Sequence, residues 1–168
     1  MNILVLADTH IARLDRQLPA EVLAALPQAA LILHAGDVTH PGLLRTLERH
    51  APVHAVLGNN DGFDLVGKLP VRTIVQAAGF RIGVVHGDGA KGTTFERAQV
   101  AFADEAVDCV VFGHSHQPLC QWLNGRLYLN PGSPTQRRRE PACSYAWLRV
   151  GETLEPELVR FGGAAPAP

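Results

Sequence analysis

The hydrophobic positions of this chain fall into short, dense runs separated by polar loops and amphipathic stretches. Residues 2–7 (NILVLA), 29–35 (AALILHA), 52–57 (PVHAVL), 80–85 (FRIGVV) and 108–112 (DCVVF) are rich in Val, Ile and Leu. Runs of that length and composition predict buried strands. Helical patterns lie between the first three. Pro19 to Leu26 sets Val22, Leu23 and Leu26 on one face. Pro41 suits a first helical turn, and Leu43, Leu44 and Leu47 form the stripe behind it. Residues 60–70 carry no regular period. The β-α-β-α-β order predicts a parallel sheet with right-handed crossovers.

Downstream the pattern changes. Val71 to Ala77, Gly79 and Arg81 to His86 read as a β-hairpin. Residues 93–107 read as an amphipathic helix with Phe95, Ala98, Phe102 and Ala106 on its apolar face. Two further hairpins follow. One spans Pro118 to Asn130 around Asn124-Gly125, and the other spans Ser144 to Phe161 around Gly151-Glu152. No repeat of solenoid period is visible. The expected architecture is α/β, two mixed sheets face to face with helices outside both. It forms one domain over residues 1–161, with residues 162–168 a flexible C-terminal tail.

Composition narrows the class. The 168 residues are 46% hydrophobic, enough for a real core, and the net charge is −1. That balance argues against general nucleic-acid binding. The basic run Arg137-Arg138-Arg139 is short. It reads as a solvated loop, with the sharper alternative that one arginine reaches a substrate phosphate. Cys109, Cys120 and Cys143 are odd in number and widely spaced, which fits a reducing cytoplasm and not a disulfide framework. No signal-peptide pattern opens the sequence, and no run reaches the roughly 18 apolar residues of a membrane span.

The chemistry sits where the strands stop. Asp8-Thr9-His10, Gly36-Asp37, Gly58-Asn59-Asn60-Asp61, His86-Gly87 and Gly113-His114-Ser115-His116 each follow an apolar run. In open α/β sheets that edge binds ligands. Two carboxylates, one amide and four imidazoles there suggest a metal site, and seven donors exceed the needs of one ion. Asp8 and His10, like His114 and His116, are one residue apart, so an extended backbone points each pair the same way. Gly36 would let the backbone pass close to an ion. Two divalent ions roughly 3.5–4 Å apart are a device for in-line displacement at phosphorus. Mixed nitrogen and oxygen donors suit Mn, Fe, Zn, Co or Ni.

These five ordered pieces resemble the signature of the calcineurin-like metallophosphoesterase superfamily: D-x-H, G-D, G-N-H-[DE], H and G-H-x-H. The length and the Asn130-Pro131-Gly132-Ser133 stretch are most similar to its small YfcE-like phosphodiesterase branch. The resemblance implies a four-layer α/β/β/α sandwich. It implies one metal on Asp8, His10, Asp37 and His116, and a second on Asp37, Asn59, His86 and His114. Asp37 would bridge the ions, and a hydroxide shared between them would attack small phosphodiesters. Manganese is the expected metal, with iron, zinc, nickel or cobalt as alternatives. By resemblance the protein is a homo-oligomer, a dimer or tetramer, with no membrane partner. The rival readings are a phosphomonoesterase or nucleotidase, and a non-catalytic scaffold like the retromer subunit of this fold.

One position departs from the pattern. The family places His after Asn59, and this chain has Asn60. An amide hydrogen-bonds a phosphoryl or leaving-group oxygen but delivers no proton. General acid catalysis is typically worth 10²–10⁴-fold, so activated aryl esters are the expected substrates. His40 is the candidate replacement donor. Asp61 is left to brace its loop through backbone amides. His34 reads as a buried imidazole bonded to backbone or as a partner that fixes a ligand. Asp64 and Asp88 read as turn residues, with Asp88 alternatively behind a ligand, and His50 and His54 as inert. Asn130 to Ser133 reads as a turn that the resemblance places near the metals.

Overall fold

In the computed structural model, residues 1–11 and 17–163 are described. Ten strands form two five-stranded sheets. The first contains β1 (Asn2–Leu6), β2 (Leu31–His34), β3 (Val53–Ala55), β9 (Cys143–Val150) and β10 (Leu154–Phe161) in the order β10-β9-β1-β2-β3. The second contains β4 (Arg72–Ala77), β5 (Phe80–Val85), β6 (Cys109–Val111), β7 (Leu119–Leu123) and β8 (Arg126–Asn130) in the order β4-β5-β6-β8-β7. β1, β2 and β3 pair in parallel, as do β5, β6 and β8. The three expected hairpins are antiparallel. Two of them turn on residues with positive φ, Ala78-Gly79 and Asn124-Gly125, the torsions a two-residue turn requires.

The period-2 alternation of buried strands sets the layers. Ile3 and Val5 face the second sheet, where Ile82, Val84, Val111 and Leu129 meet them. Leu4 and Leu6 face the other way, against Val22 and Ala25 of α1 (Ala20–Ala25) and Leu43 and Leu47 of α2 (Pro41–Glu48). On the far side, Val110, Phe112 and Tyr128 pack on Ala98 of α3 (Thr94–Ala101) and on Phe102. The result is the four-layer α/β/β/α sandwich. No helix among the described residues is long and apolar enough to cross a membrane.

Three local expectations change. The α1 stripe runs through Val22, Ala25 and Leu26, while Leu23 is exposed. α3 stops at Ala101 and does not continue to residue 107. Phe102 N and Ala103 N bond Gln99 O and Val100 O, three residues back, and guanidinium groups hold the carbonyls of the turns that follow. Arg126 takes those of Phe102, Glu105 and Val107, and Arg81 takes that of Ala106. Ala106 therefore lies outside the helix and is exposed. Residues 60–70 form successive turns pinned by buried Leu65, as their missing period implies. Of the expected tail, residues 164–168 lie outside the described residues; Gly162 and Gly163 are exposed.

Candidate metal centre

All five motif loops leave the carboxyl ends of β1, β2, β3, β5 and β6, so both sheets deliver side chains to one edge. The loops are stitched together by their backbones. Asp8 N donates to Gly36 O (3.0 Å), His10 N to Asp37 O (3.1 Å) and Gly113 N to His86 O (3.1 Å). The pairs Asp8/His10 and His114/His116 do not converge by extended alternation. Their φ angles are 53°, 45°, 67° and 59°, and Asp37 (57°) and Thr39 (67°) share that left-handed region. Left-handed backbone costs a non-glycine residue roughly 1–2 kcal/mol, and such strain persists where surrounding structure dictates it. A Cβ on Gly36 would lie 2.6 Å from His86 Nδ1, so this glycine makes room for the imidazole.

The seven candidate ligands form two overlapping groups around Asp37. In one, His10 Nε2 lies 3.9 Å from Asp8 Oδ1, 3.5 Å from Asp37 Oδ2 and 3.2 Å from His116 Nε2. His116 Nε2 lies 3.5 Å from Asp8 Oδ1. In the other, His86 Nε2 lies 3.5 Å from Asp37 Oδ2 and 3.1 Å from Asn59 Oδ1, which is 2.9 Å from His114 Nδ1. Asp8, Asp37, His86 and His116 are buried; His10 and His114 are half-buried, and Asn59 is exposed.

The donor set fits divalent cations. Both oxygens of Asp8 are buried without a hydrogen-bond partner. His116 Nδ1 donates to Gln136 O (2.6 Å), and His86 Nδ1 donates to Ala35 O (2.7 Å). A backbone carbonyl accepts only, so the neutral His116 ring keeps a bare lone pair on Nε2. That lone pair lies 3.5 Å from Asp8 Oδ1, an acceptor with no hydrogen-bond partner. Two such acceptors side by side are what a cation satisfies, and ring nitrogens fixed by a carbonyl are typical of ligating histidines. Two nitrogens about 2.05 Å from one tetrahedral ion stand about 3.3 Å apart, close to the His10–His116 spacing.

Electrostatics follow the same layout. Burial pushes the Asp8 carboxyl up to about 7. Burial also opposes charge on Asp37, but hydrogen bonds from His86 and Asn60 outweigh it and hold that carboxyl below its usual range. Burial disfavours a charged His86 as well, yet Asp37 and Asp8 outweigh it and hold His86 above its ordinary value. Burial lowers His10 and His114, and lowers His116 to about 4.

Asn60 turns toward Asp37: its backbone N donates to Oδ1 (2.8 Å) and its Nδ2 to Oδ2 (2.7 Å). Asp61 braces the loop, accepting from Thr39 N (2.6 Å) and Gly58 N (2.7 Å). His40 caps α2, its Nδ1 accepting from Gly42 N (2.9 Å). His34 is fully buried and bonds Thr9 Oγ1 (3.1 Å), whose hydroxyl donates to Asp37 O (3.3 Å). His34 Nε2 is therefore the donor. Its link reaches the Asp37 backbone through Thr9, between the two expected arrangements.

The sequence offered no role for Asn130 to Ser133, and here they tie the site together. Asn130 Nδ2 donates to Gly113 O (2.9 Å), and Ser133 Oγ donates to Asp8 O (2.8 Å). Thr135 Oγ1 donates to Thr9 O (2.6 Å). One loop thus joins the D-T-H turn to the G-H-S-H turn.

The calcineurin-like phosphoesterase superfamily domain profile matches residues 1–153. A probable metallophosphoesterase of Methanothermobacter thermautotrophicus is 37% identical over 164 residues, covering 96% of this chain and 94% of that protein. Two solved structures share the fold. Wild-type Vps29 of Entamoeba histolytica, complexed with Zn²⁺, has a TM-score of 0.73 at 22% identity over 95% of this chain and 99% of that one. A novel archaeal phosphodiesterase has a TM-score of 0.72 at 19% identity over 96% and 100%.

Proposed function

The chain belongs to the calcineurin-like phosphoesterase superfamily, and on that premise we propose that it is a two-metal phosphodiesterase acting on small diesters. The observation that carries this reading is the unpartnered, buried Asp8 carboxylate facing the His116 Nε2 lone pair. Asp8, His10, Asp37 and His116 would hold one ion, and Asp37, Asn59, His86 and His114 the other. Bound divalent ions supply Lewis acidity at a phosphoryl oxygen and activate water near neutral pH. Manganese is our choice of metal, and the free cysteines fit a cytoplasmic protein.

The protein's own groups set the selectivity. Asn60 fixes Asp37 by donating to both carboxylate oxygens, which orients the shared ligand. It has no proton to release to a leaving group. His40 is our candidate donor through Nε2, its Nδ1 being taken by the cap on Gly42 N. Leaving groups that depart as stable anions therefore suit this site, as in aryl diesters. The archaeal phosphodiesterase supports the diester reading; Vps29 keeps a scaffold reading open, since it shares the fold.

The test is manganese-dependent release of nitrophenol from bis(4-nitrophenyl) phosphate, compared with 4-nitrophenyl phosphate. Faster turnover of the diester is expected. A manganese-loaded protein that hydrolyses neither ester sinks the hydrolase reading, and one that prefers the monoester sinks the diester assignment.

A further inference from the structure

Three of the chain's 15 basic residues are consecutive, Arg137, Arg138 and Arg139, and all are exposed. They line a cavity of about 240 Å³ together with Ser115, Gln117 and Glu140. Ser115 is the residue between the ligands His114 and His116. The cavity is smaller than the roughly 300–1,000 Å³ clefts that enclose drug-sized ligands, which suits one compact group. Three guanidiniums against one carboxylate leave it strongly positive in a chain of net charge −1.

The arginine turn is tied to the metal centre. Ser133 Oγ accepts from Thr135 N and Gln136 N, and Gln136 O orients His116. Arg137 spends one nitrogen on Glu140 O (2.8 Å). Arg138 sits in the left-handed region, φ 51°, with a single long bond to His114 O at 3.5 Å. Among the described residues no carboxylate lies within ion-pair distance of Arg138 or Arg139. Their planar donor forks are left for an anion. Arg138 thus lines the cavity while its guanidinium reaches the backbone of His114.

The geometry points to a second anion subsite, formed by Arg138 with Arg137 and Arg139, that takes a phosphate of the substrate other than the one being cleaved. The substrate class is then a small phosphodiester bearing an additional phosphate monoester. This inference rests on the phosphodiesterase reading for its substrate, but the subsite has a readout of its own.

Two chromogenic diesters test it: the 4-nitrophenyl ester of thymidine 5′-phosphate, with and without a 3′-phosphate. Manganese-loaded protein is expected to favour the 3′-phosphorylated ester about tenfold in kcat/KM, the worth of one charged contact. Arg138→Ala is expected to bring the ratio to about one, and Arg138→Lys to restore part of it. Calorimetric titration with thymidine 3′,5′-bisphosphate and thymidine 5′-monophosphate gives the independent reading, with tighter binding of the bisphosphate lost in Arg138→Ala. Turnover of both esters at equal rates overturns the subsite and leaves the phosphodiesterase standing. Turnover of neither refutes the phosphodiesterase, and the titration then decides the subsite. Equal binding of the two nucleotides, or binding of neither, overturns it.

Discussion

Replacing Asp8 with Asn is expected to stabilise the metal-free protein and to weaken its stabilisation by metal. Asp8 is fully buried and neither oxygen has a partner. Burial lifts its carboxyl from 3.8 to about 7, against the opposing pull of His86. A folded carboxyl that holds its proton more tightly than the unfolded one costs nothing below pH 3.8. The cost grows as pH rises toward 7 and is constant above it. At about 1.4 kcal/mol per tenfold, the ionised side chain at pH 8 costs on the order of 4 kcal/mol. Asn has the same shape without the charge. It recovers a part, about 2–3 kcal/mol, because its own NH₂ must find acceptors in the same pocket. At roughly 2–4 °C per kcal/mol for a chain of this size, Tm rises by about 5–10 °C. The assay is thermal unfolding at pH 8 in chelator, then in excess manganese. The comparison is made at one pH because the depressed histidines change stability with the opposite sign. With metal the order should reverse, since the wild type gains ligand-linked stability from both ions and the variant loses the share of the Asp8 ion. An Asp8→Asn protein that melts at or below the wild type in chelator would refute the claim that this carboxylate is stranded without its cation.

Three further outcomes follow from neighbouring residues. Burial lowers His34 from 6.5 to about 3, so stability is full above pH 6.5 and falls as acid charges the unfolded chain. Wild type should lose about 2 kcal/mol between pH 7 and 5 relative to His34→Gln, read by urea unfolding at both pH values; parallel curves would contradict this. Ser133→Ala removes the donor to Asp8 O and orphans two backbone amides. It should cost roughly 1–3 kcal/mol and weaken manganese binding by calorimetry; unchanged stability and affinity would show that the loop is no clamp. Asn60→His restores a proton donor where the family has one. It should raise kcat on alkyl diesters more than on aryl diesters; an equal effect on both would remove proton donation from the account.

The two periods in the sequence carried most of the architecture. Strict apolar runs gave β1, β2 and β6, and the alternation of Ile3 and Val5 against Leu4 and Leu6 already specified a strand buried on both faces. The candidate ligands stood out in the sequence because every one follows such a run. The backbone that brings them together was not. Asp-x-His reads as an extended pair, yet both residues adopt positive φ, because the chain must fold back for Asp8 N and His10 N to reach Gly36 O and Asp37 O. That choice depends on partners some 28 residues away, which local pattern does not encode. Helix α3 ends where its bonds shorten to three residues back, and the turns beyond it are held by Arg126, a residue of a distant strand that local pattern does not announce.

Asn130 to Ser133 shows why the rest stayed hidden. Asn, Pro, Gly and Ser are turn formers by local chemistry, and that chemistry is present, with Asn130 Oδ1 accepting from Gly132 N (2.9 Å). What matters is the other end of each side chain. Asn130 Nδ2 reaches Gly113 across 17 positions, and Ser133 Oγ reaches Asp8 across 125. Neither target is a side chain, so no residue type at the far end announces the contact. The candidate ligands stood out because coordination selects residue types. The clamp could not, because a backbone carbonyl is the same at every position. The clamp nevertheless holds Asp8, through its carbonyl, and His116, through Gln136, in one rigid unit with the arginine turn. A substitution at Ser133 should therefore disturb metal affinity and Arg138-dependent substrate preference together. Changes in one without the other would separate the two sites and break this coupling.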